Sequence, residues 1–385
     1  MEHTVDLQLT YDFIAWRHAD LRQVQEAWDY LASTDTRSPI FHRREWFELG
    51  SRTGAIQPRG VLLINTDRPI ALFPLQRCFP GCWECVSLFG QGEMQVLIDP
   101  AHEELAWQGV AQWMRHTPSV GLLTLGVTEH RNWIDQLTTA CRQHGLVIAE
   151  KQLPTPAVWS ELPGSWETFL QRIGSTSARN IRRAEKKLHE LGEEYSVEVY
   201  TTPEECARQI PALVRLYRKR WQHEAVECQF SNPANVRFYE EAIRWAAWRG
   251  CALVYVFRLR GEPFLVQTLF CEPGKAALYQ HFTARDVEAL PNSYSPGVAG
   301  SAQQFRWAIE HGMTRVNQGP VNMSYKSIFD GVEHPRWKVA IARSSIHHSL
   351  LGSCCRSRHI IQHLPAYAMI ALHHLLQGKT RKRKG

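Results

Sequence analysis

The chain's 385 residues are too many for one hydrophobic core and suit two domains. Apolar residues make up 44% and charged residues 21%, the composition of a soluble globular protein, and the net charge of +6 favours an anionic partner without the concentrated basic, aromatic-lined face of an extensive nucleic-acid groove. Nothing approaches 18 consecutive apolar residues, which excludes a spanning helix. The start Met1–Asp6 has no secretory pattern, and ten Cys are too dilute for a disulfide scaffold, so a cytoplasmic protein with reduced thiols is expected.

Helical patterns around Trp28 and Leu31, and again near Trp46 and Leu49, precede residues 61–76, which read as strand, tight turn, strand with Pro69 opening the second strand. Cys78, Cys82 and Cys85 follow closely. Three thiolates could supply most of a tetrahedral zinc site, but no well-placed fourth ligand follows, and a hairpin tip with no metal is the expectation. A helix over 101–116 and a strand over 121–125 close this half. Pro154, Pro156 and Pro163-Gly164 punctuate a boundary, which divides the chain into domains at 1–150 and 151–345 with a tail at 346–385.

The second half repeats the plan. Its first helix carries an apolar stripe of Ile181, Ala184, Leu188 and Leu191, with Arg179, Arg182, Arg183, Lys186 and Lys187 on the remaining face. That face is either solvated or borders a phosphate-bearing ligand. Thr202, Pro203 and Glu205 are the N-cap, first-turn Pro and capping-box acid of a helix that runs through Cys206, Ile210, Leu213, Tyr217 and Trp221. A further helix over 235–249 leads to a hairpin over 253–270, with Gly261-Glu262-Pro263 at its turn. A strand over 277–283, a loop at Tyr294–Gly300, a helix with Ala302, Phe305, Ala308 and Ile309 on one side, and a strand over 314–318 complete the domain. Helices alternating with short strands imply an α/β (α+β) layer fold. The loop before the last helix, with Pro296, Gly297 and Gly300, is a plausible cradle for a phosphate or pyrophosphate.

The segments Ser177–Arg183, Leu216–Trp221, Tyr294–Gly297, Phe305–Ile309, Asn317–Gly319 and Tyr325-Lys326 together resemble the Gcn5-related N-acetyltransferase (GNAT) superfamily. They are most similar to its two-domain, cellulose-biosynthesis-protein or FemAB-like acyltransferases. The resemblance spans roughly residues 165–330 and implies two acyltransferase-like domains, the first degenerate, with mixed sheets whose central strands splay apart. It implies an acyl-CoA co-substrate and no metal. The thioester arm would lie between strands 277–283 and 314–318, with its phosphates on Tyr294, Ser295, Gly297, Val298 and Gly300 and with Lys326 as a further contact. The implied activity is N-acyl transfer to a sugar, amino acid or lipid-linked envelope precursor. The alternatives are an aminoacyl-tRNA-dependent FemAB-like transferase and a non-catalytic envelope-assembly protein.

Acyl transfer needs a proton acceptor and donors facing the oxyanion. His281, mid-strand at the splay, is the expected base, with Asp286 orienting it and Tyr325 as a further catalytic group. Period-2 alternation would put Tyr279, His281 and Thr283 on one face. Arg220, Trp221, Tyr279 and Asn317 are the expected acceptor contacts. In the tail, apolar residues from Ile360 to Leu376 precede Lys379–Lys384, a pattern suited either to a packed helix with a basic end or to peripheral contact with the inner membrane face.

Overall fold

Each half is organised by a hairpin whose second strand opens at or beside a Pro, where the missing N–H costs little. The computed structural model describes residues 8–16, 18–34, 39–89, 94–221, 228–271, 276–320 and 326–349. The N-terminal elements are β1 (Thr10–Ala15), α1 (His18–Thr34), α2 (Arg44–Thr53), β2 (Pro58–Asn65), β3 (Pro69–Phe79), β4 (Cys82–Cys85), β5 (Leu97–Ile98), α3 (Glu103–His116), β6 (Leu122–Thr128), α4 (Arg131–Gln143) and β7 (Val147–Gln152). The C-terminal elements are β8 (Ala157–Glu161), α5 (Trp166–Arg172), α6 (Gly174–His189), β9 (Tyr195–Tyr200), α7 (Pro203–Trp221), α8 (Pro233–Trp248), β10 (Ala252–Leu259), β11 (Glu262–Cys271) and β12 (Ala277–Arg285). They end with α9 (Pro296–Glu310), β13 (Arg315–Asn317), β14 (Val332–His334) and β15 (Trp337–Ala342).

Two mixed sheets result, each flanked by helices, in keeping with tandem GNAT-like domains. The first runs β1-β2-β3-β4-β6-β15-β7, with β5 also pairing β3, and the second runs β14-β8-β13-β12-β11-β10-β9. One strand departs from the division at 151–345. β15 inserts antiparallel between β6 and β7 of the first sheet. Val339 and Ile341 alternate inward, and their burial against Leu123, Leu125 and Ile134 draws the strand back across the molecule. The tail beyond residue 349 lies outside the described residues.

The halves share a core. Trp28, Phe41, Trp46 and Phe47 pack in one cluster with Phe238, Tyr239, Phe270 and Tyr279, and Trp46 meets Phe238 edge-on at 5.0 Å. Burying each such ring contributes about 2–3 kcal/mol, so the halves act as one packed body. The cysteine cluster is a hairpin tip, with Pro80-Gly81 between Phe79 and Cys82 and Gly81 at φ 79°. Cys78 donates to the Cys82 carbonyl, and among the described residues no three His, Cys, Asp or Glu side chains are grouped to hold a metal.

Candidate active site

The second sheet forks. β12 and β13 run parallel and pair only over Ala277–Tyr279 and Arg315–Asn317, after which β12 continues to Arg285 paired with β11 alone. On the β13 side, backbone groups beyond Tyr279 therefore face a slot instead of a strand among the described residues. The first sheet has the same parallel step between β4 and β6, but its equivalent is filled. β5 pairs back onto β3, Asp99 caps the Ala101 N–H, and Glu103 and Glu104 occupy the first turn of α3. Three carboxylates at that helix start repel a phosphate. The first turn of α9 has no acid.

At the α9 end of the fork the expected cradle is narrower than its sequence implies. Ser295 adopts φ 49°, and its carbonyl already accepts the N–H groups of Val298 and Ala299, while its own N–H goes to Asn292. Gly297 keeps an N–H without a backbone partner among the described residues, and a Cβ built there meets nothing within 4 Å. Gly300 is small for another reason. A Cβ there would lie 2.3 Å from Gln267 Oε1, so this residue seats α9 on the sheet and does not approach a ligand. Lys187 of α6 donates to the Ser293 carbonyl at 2.8 Å and lies over the Tyr294 ring. Arg183 and Arg179 continue its stripe at one-turn intervals, giving a cation every ~6 Å along the helix. Both are exposed and neither pairs with a carboxylate among the described residues.

His281 is not where a base is needed. A bulge in β12 sets Thr268 opposite Phe282 and Leu269 opposite Gln280, which leaves His281 as the extra residue. His281 and Phe282 then both face the shared core, and Thr283 turns to the other side, where Gln267 reaches it. The expected single face of Tyr279, His281 and Thr283 is thereby broken. The His281 Nε2–H donates to the Phe89 carbonyl of the N-terminal half, and Nδ1 accepts from Tyr239 Oη at 2.9 Å. Part of the residue remains accessible, yet the imidazole is enclosed by Phe41, Tyr239, Phe270 and Phe282. This enclosure lowers its pKa to about 4. With both nitrogens engaged, it latches the halves together and cannot collect a proton from substrate. Asp286 does not orient it either, since its carboxylate holds Lys219 Nζ at 2.9 Å, an amine that Glu288 shares.

Other expected contacts separate. Arg220 stacks its guanidinium on Trp221 at the end of α7, and neither borders the cleft between the halves. Lys326 is only 4% exposed and donates to the Gly319 carbonyl, and burial, with the Arg336 charge nearby, lowers its pKa to about 8. It cannot meet a phosphate at the surface. Tyr325 lies outside the described residues. Asn317 is buried beside the fork. Its Oδ1 accepts the Gly319 N–H, and its Nδ2 has no partner among the described residues.

Tyr279 lies at the fork and opens into a cleft of about 210 Å³ between the halves. From the C-terminal sheet, Trp159 and Arg315 join it, the Arg315 guanidinium 4.7 Å from the centre of the Trp159 ring. From the other half come His42, Glu129 and His130, the last two at the β6–α4 turn where Thr128 Oγ1 accepts the His130 N–H. The Trp159 indole N–H donates to Glu129 Oε2 at 2.9 Å, while the buried Oε1 of the same carboxylate has no partner. Sequence reading missed every one of these except Tyr279. Glu129-His130, a few residues beyond the strand predicted over 121–125, was the available signal.

Against known proteins, residues 175–327 match the model of the acetyltransferase (GNAT) domain. No curated protein matches the chain. Among solved structures, the chain is similar to FemX (10% identity, TM-score 0.55, covering 82% of this chain and 95% of that one). It is also similar to the C-terminal domain assigned to a lysylphosphatidylglycerol synthetase from Agrobacterium fabrum (12% identity, TM-score 0.50, covering 85% and 95%). A third is a conserved protein of unknown function from Bacteroides thetaiotaomicron (10% identity, TM-score 0.50, covering 86% and 100%). At these identities the likeness is one of fold: the chain has the GNAT-superfamily acyltransferase fold.

Proposed function

We propose that the chain is an acyltransferase of the FemAB-like kind, which moves an aminoacyl group from the acceptor end of a tRNA to an amine held in the cleft between its halves. The carbonyl carbon of the donor ester would sit at the fork beside Tyr279. The neutral amine attacks it, the new C–N bond forms, the C–O bond to the ribose breaks, and the proton that the nitrogen loses passes to the departing ribose oxygen. Positioning both partners is the protein's main contribution to such a step.

The observation that carries this choice of donor is the stripe Arg179, Arg183 and Lys187, which has no carboxylate partner among the described residues and leads to an α9 start with one uncommitted N–H, at Gly297. A coenzyme A pyrophosphate relies on several backbone donors at one point, whereas a polynucleotide end is held by cations spaced along its phosphates. The aminoacyl-lipid name of the Agrobacterium relative supports the same reading. An acyl-CoA donor is the second reading, favoured by the acetyltransferase model over 175–327. Titrating the protein with aminoacyl-tRNA and with acetyl-CoA under equal salt decides between them. Tight, salt-sensitive binding of the first alone supports the proposal, and binding of acetyl-CoA alone overturns it.

A further inference from the structure

The cleft beside Tyr279 contains two opposite charges that have no charged partners among the described residues. Glu129 accepts one hydrogen bond, from the Trp159 indole, and its second oxygen is buried and unpartnered among the described residues. Arg315 lies on the face of that same indole and pairs with no carboxylate among the described residues. Glu161 stands opposite it in strand register without forming an ion pair. A buried carboxylate oxygen is costly until a donor completes it, and a guanidinium held over an aromatic ring still offers its N–H fork to a carboxylate. Here they are anchored to the edge and the face of a single side chain, so their separation is fixed. Neither satisfies the other.

We infer that this cleft binds the acceptor as an amino-acid zwitterion, with its ammonium on Glu129 and its carboxylate on Arg315. An ammonium can donate to the free Glu129 oxygen, and a planar carboxylate can accept two parallel N–H bonds from the guanidinium. The cleft, at about 210 Å³, has room for a single amino acid. Tyr279 closes the inner wall and marks the start of the fork, which sets the bound amine beside the point where the donor carbonyl would arrive. The inference rests on the acyl-transfer reading and names its acceptor class. Because its test reads acceptor binding without any donor, it stands or falls separately.

The test is ligand-observed NMR on the full chain with four probes. These are L-alanine, L-alaninamide with no carboxylate, propionate with no amine, and O-phosphoethanolamine as the phosphate analogue that a lipid headgroup would offer. L-Alanine is expected to bind at least tenfold more tightly than either single-charge probe. Arg315→Gln should erase the preference for alanine over alaninamide, and Glu129→Gln the preference for alanine over propionate. The four-probe comparison on the unaltered protein keeps the test decisive should a variant fold poorly. Equal binding of alanine and alaninamide, no binding of alanine at tens of millimolar, or preference for phosphoethanolamine would each overturn the assignment.

Discussion

Acidification should unlatch the two halves through His281. In the folded protein the imidazole is neutral and enclosed by Phe41, Tyr239, Phe270 and Phe282, with a pKa lowered to about 4, while in the unfolded chain it titrates near 6.5. The unfolded state therefore binds the extra proton first. The stabilisation is fully present above pH 6.5 and is lost as pH falls toward 4. At pH 5 the unfolded imidazole is almost entirely protonated and the folded one only about a tenth so, which amounts to a loss of about 2 kcal/mol relative to pH 7.5. Urea unfolding of the parent and of His281→Gln at pH 7.5, 6 and 5 isolates this contribution, since the other titrating groups are common to both. The variant is expected to be less stable at pH 7.5, because the Tyr239 and Phe89 partners fit an amide less well, but to lose about 2 kcal/mol less on acidification. Parallel pH dependences in the two proteins would refute the latch.

Three further outcomes are expected. Gly297→Val should weaken donor binding about tenfold with an unchanged Tm, since its side chain enters open space, whereas Gly300→Ala should cost about 1–2 kcal/mol of stability through Gln267; urea unfolding and donor titration separate the two. Lys326, with its pKa lowered to about 8 by burial, destabilises the fold at neutral pH, and the parent should gain about 3 kcal/mol relative to Lys326→Met between pH 8 and 10.5, read by the same unfolding assay. Replacing Arg179, Arg183 and Lys187 together by Gln should reduce the slope of log affinity for aminoacyl-tRNA against log salt by about 2, as measured by filter binding.

The local grammar of the chain was legible where a turn or cap is written in adjacent residues. Pro69 and Pro263 mark both hairpins, Thr202 reaches Glu205 at the start of α7, and the Pro296–Glu310 helix falls where its apolar period predicts. What escaped is non-local. The bulge at His281 leaves no trace in period-2 alternation, because it depends on how β12 meets β11, and one inserted residue was enough to move the expected base into the core. β15 lies within the stretch 151–345 assigned to the second domain, and its partners are β6 and β7 of the first. The cleft escaped for the same reason: Glu129 and Arg315 become neighbours only because Trp159 bridges the halves. The sequence also overstated the phosphate loop, since Ser295 folds back to take the N–H groups that its composition seemed to leave open.

The central claim is that the C-terminal fork transfers an aminoacyl group to an amine in the adjoining cleft. A single-turnover assay with the full chain, labelled alanyl-tRNA and a panel of free amino acids as acceptors tests it most directly. A labelled dipeptide is expected, which disappears after ribonuclease treatment of the donor and falls by at least tenfold in Arg315→Gln. Transfer from acetyl-CoA with none from the tRNA, or no transfer from either donor, would contradict it.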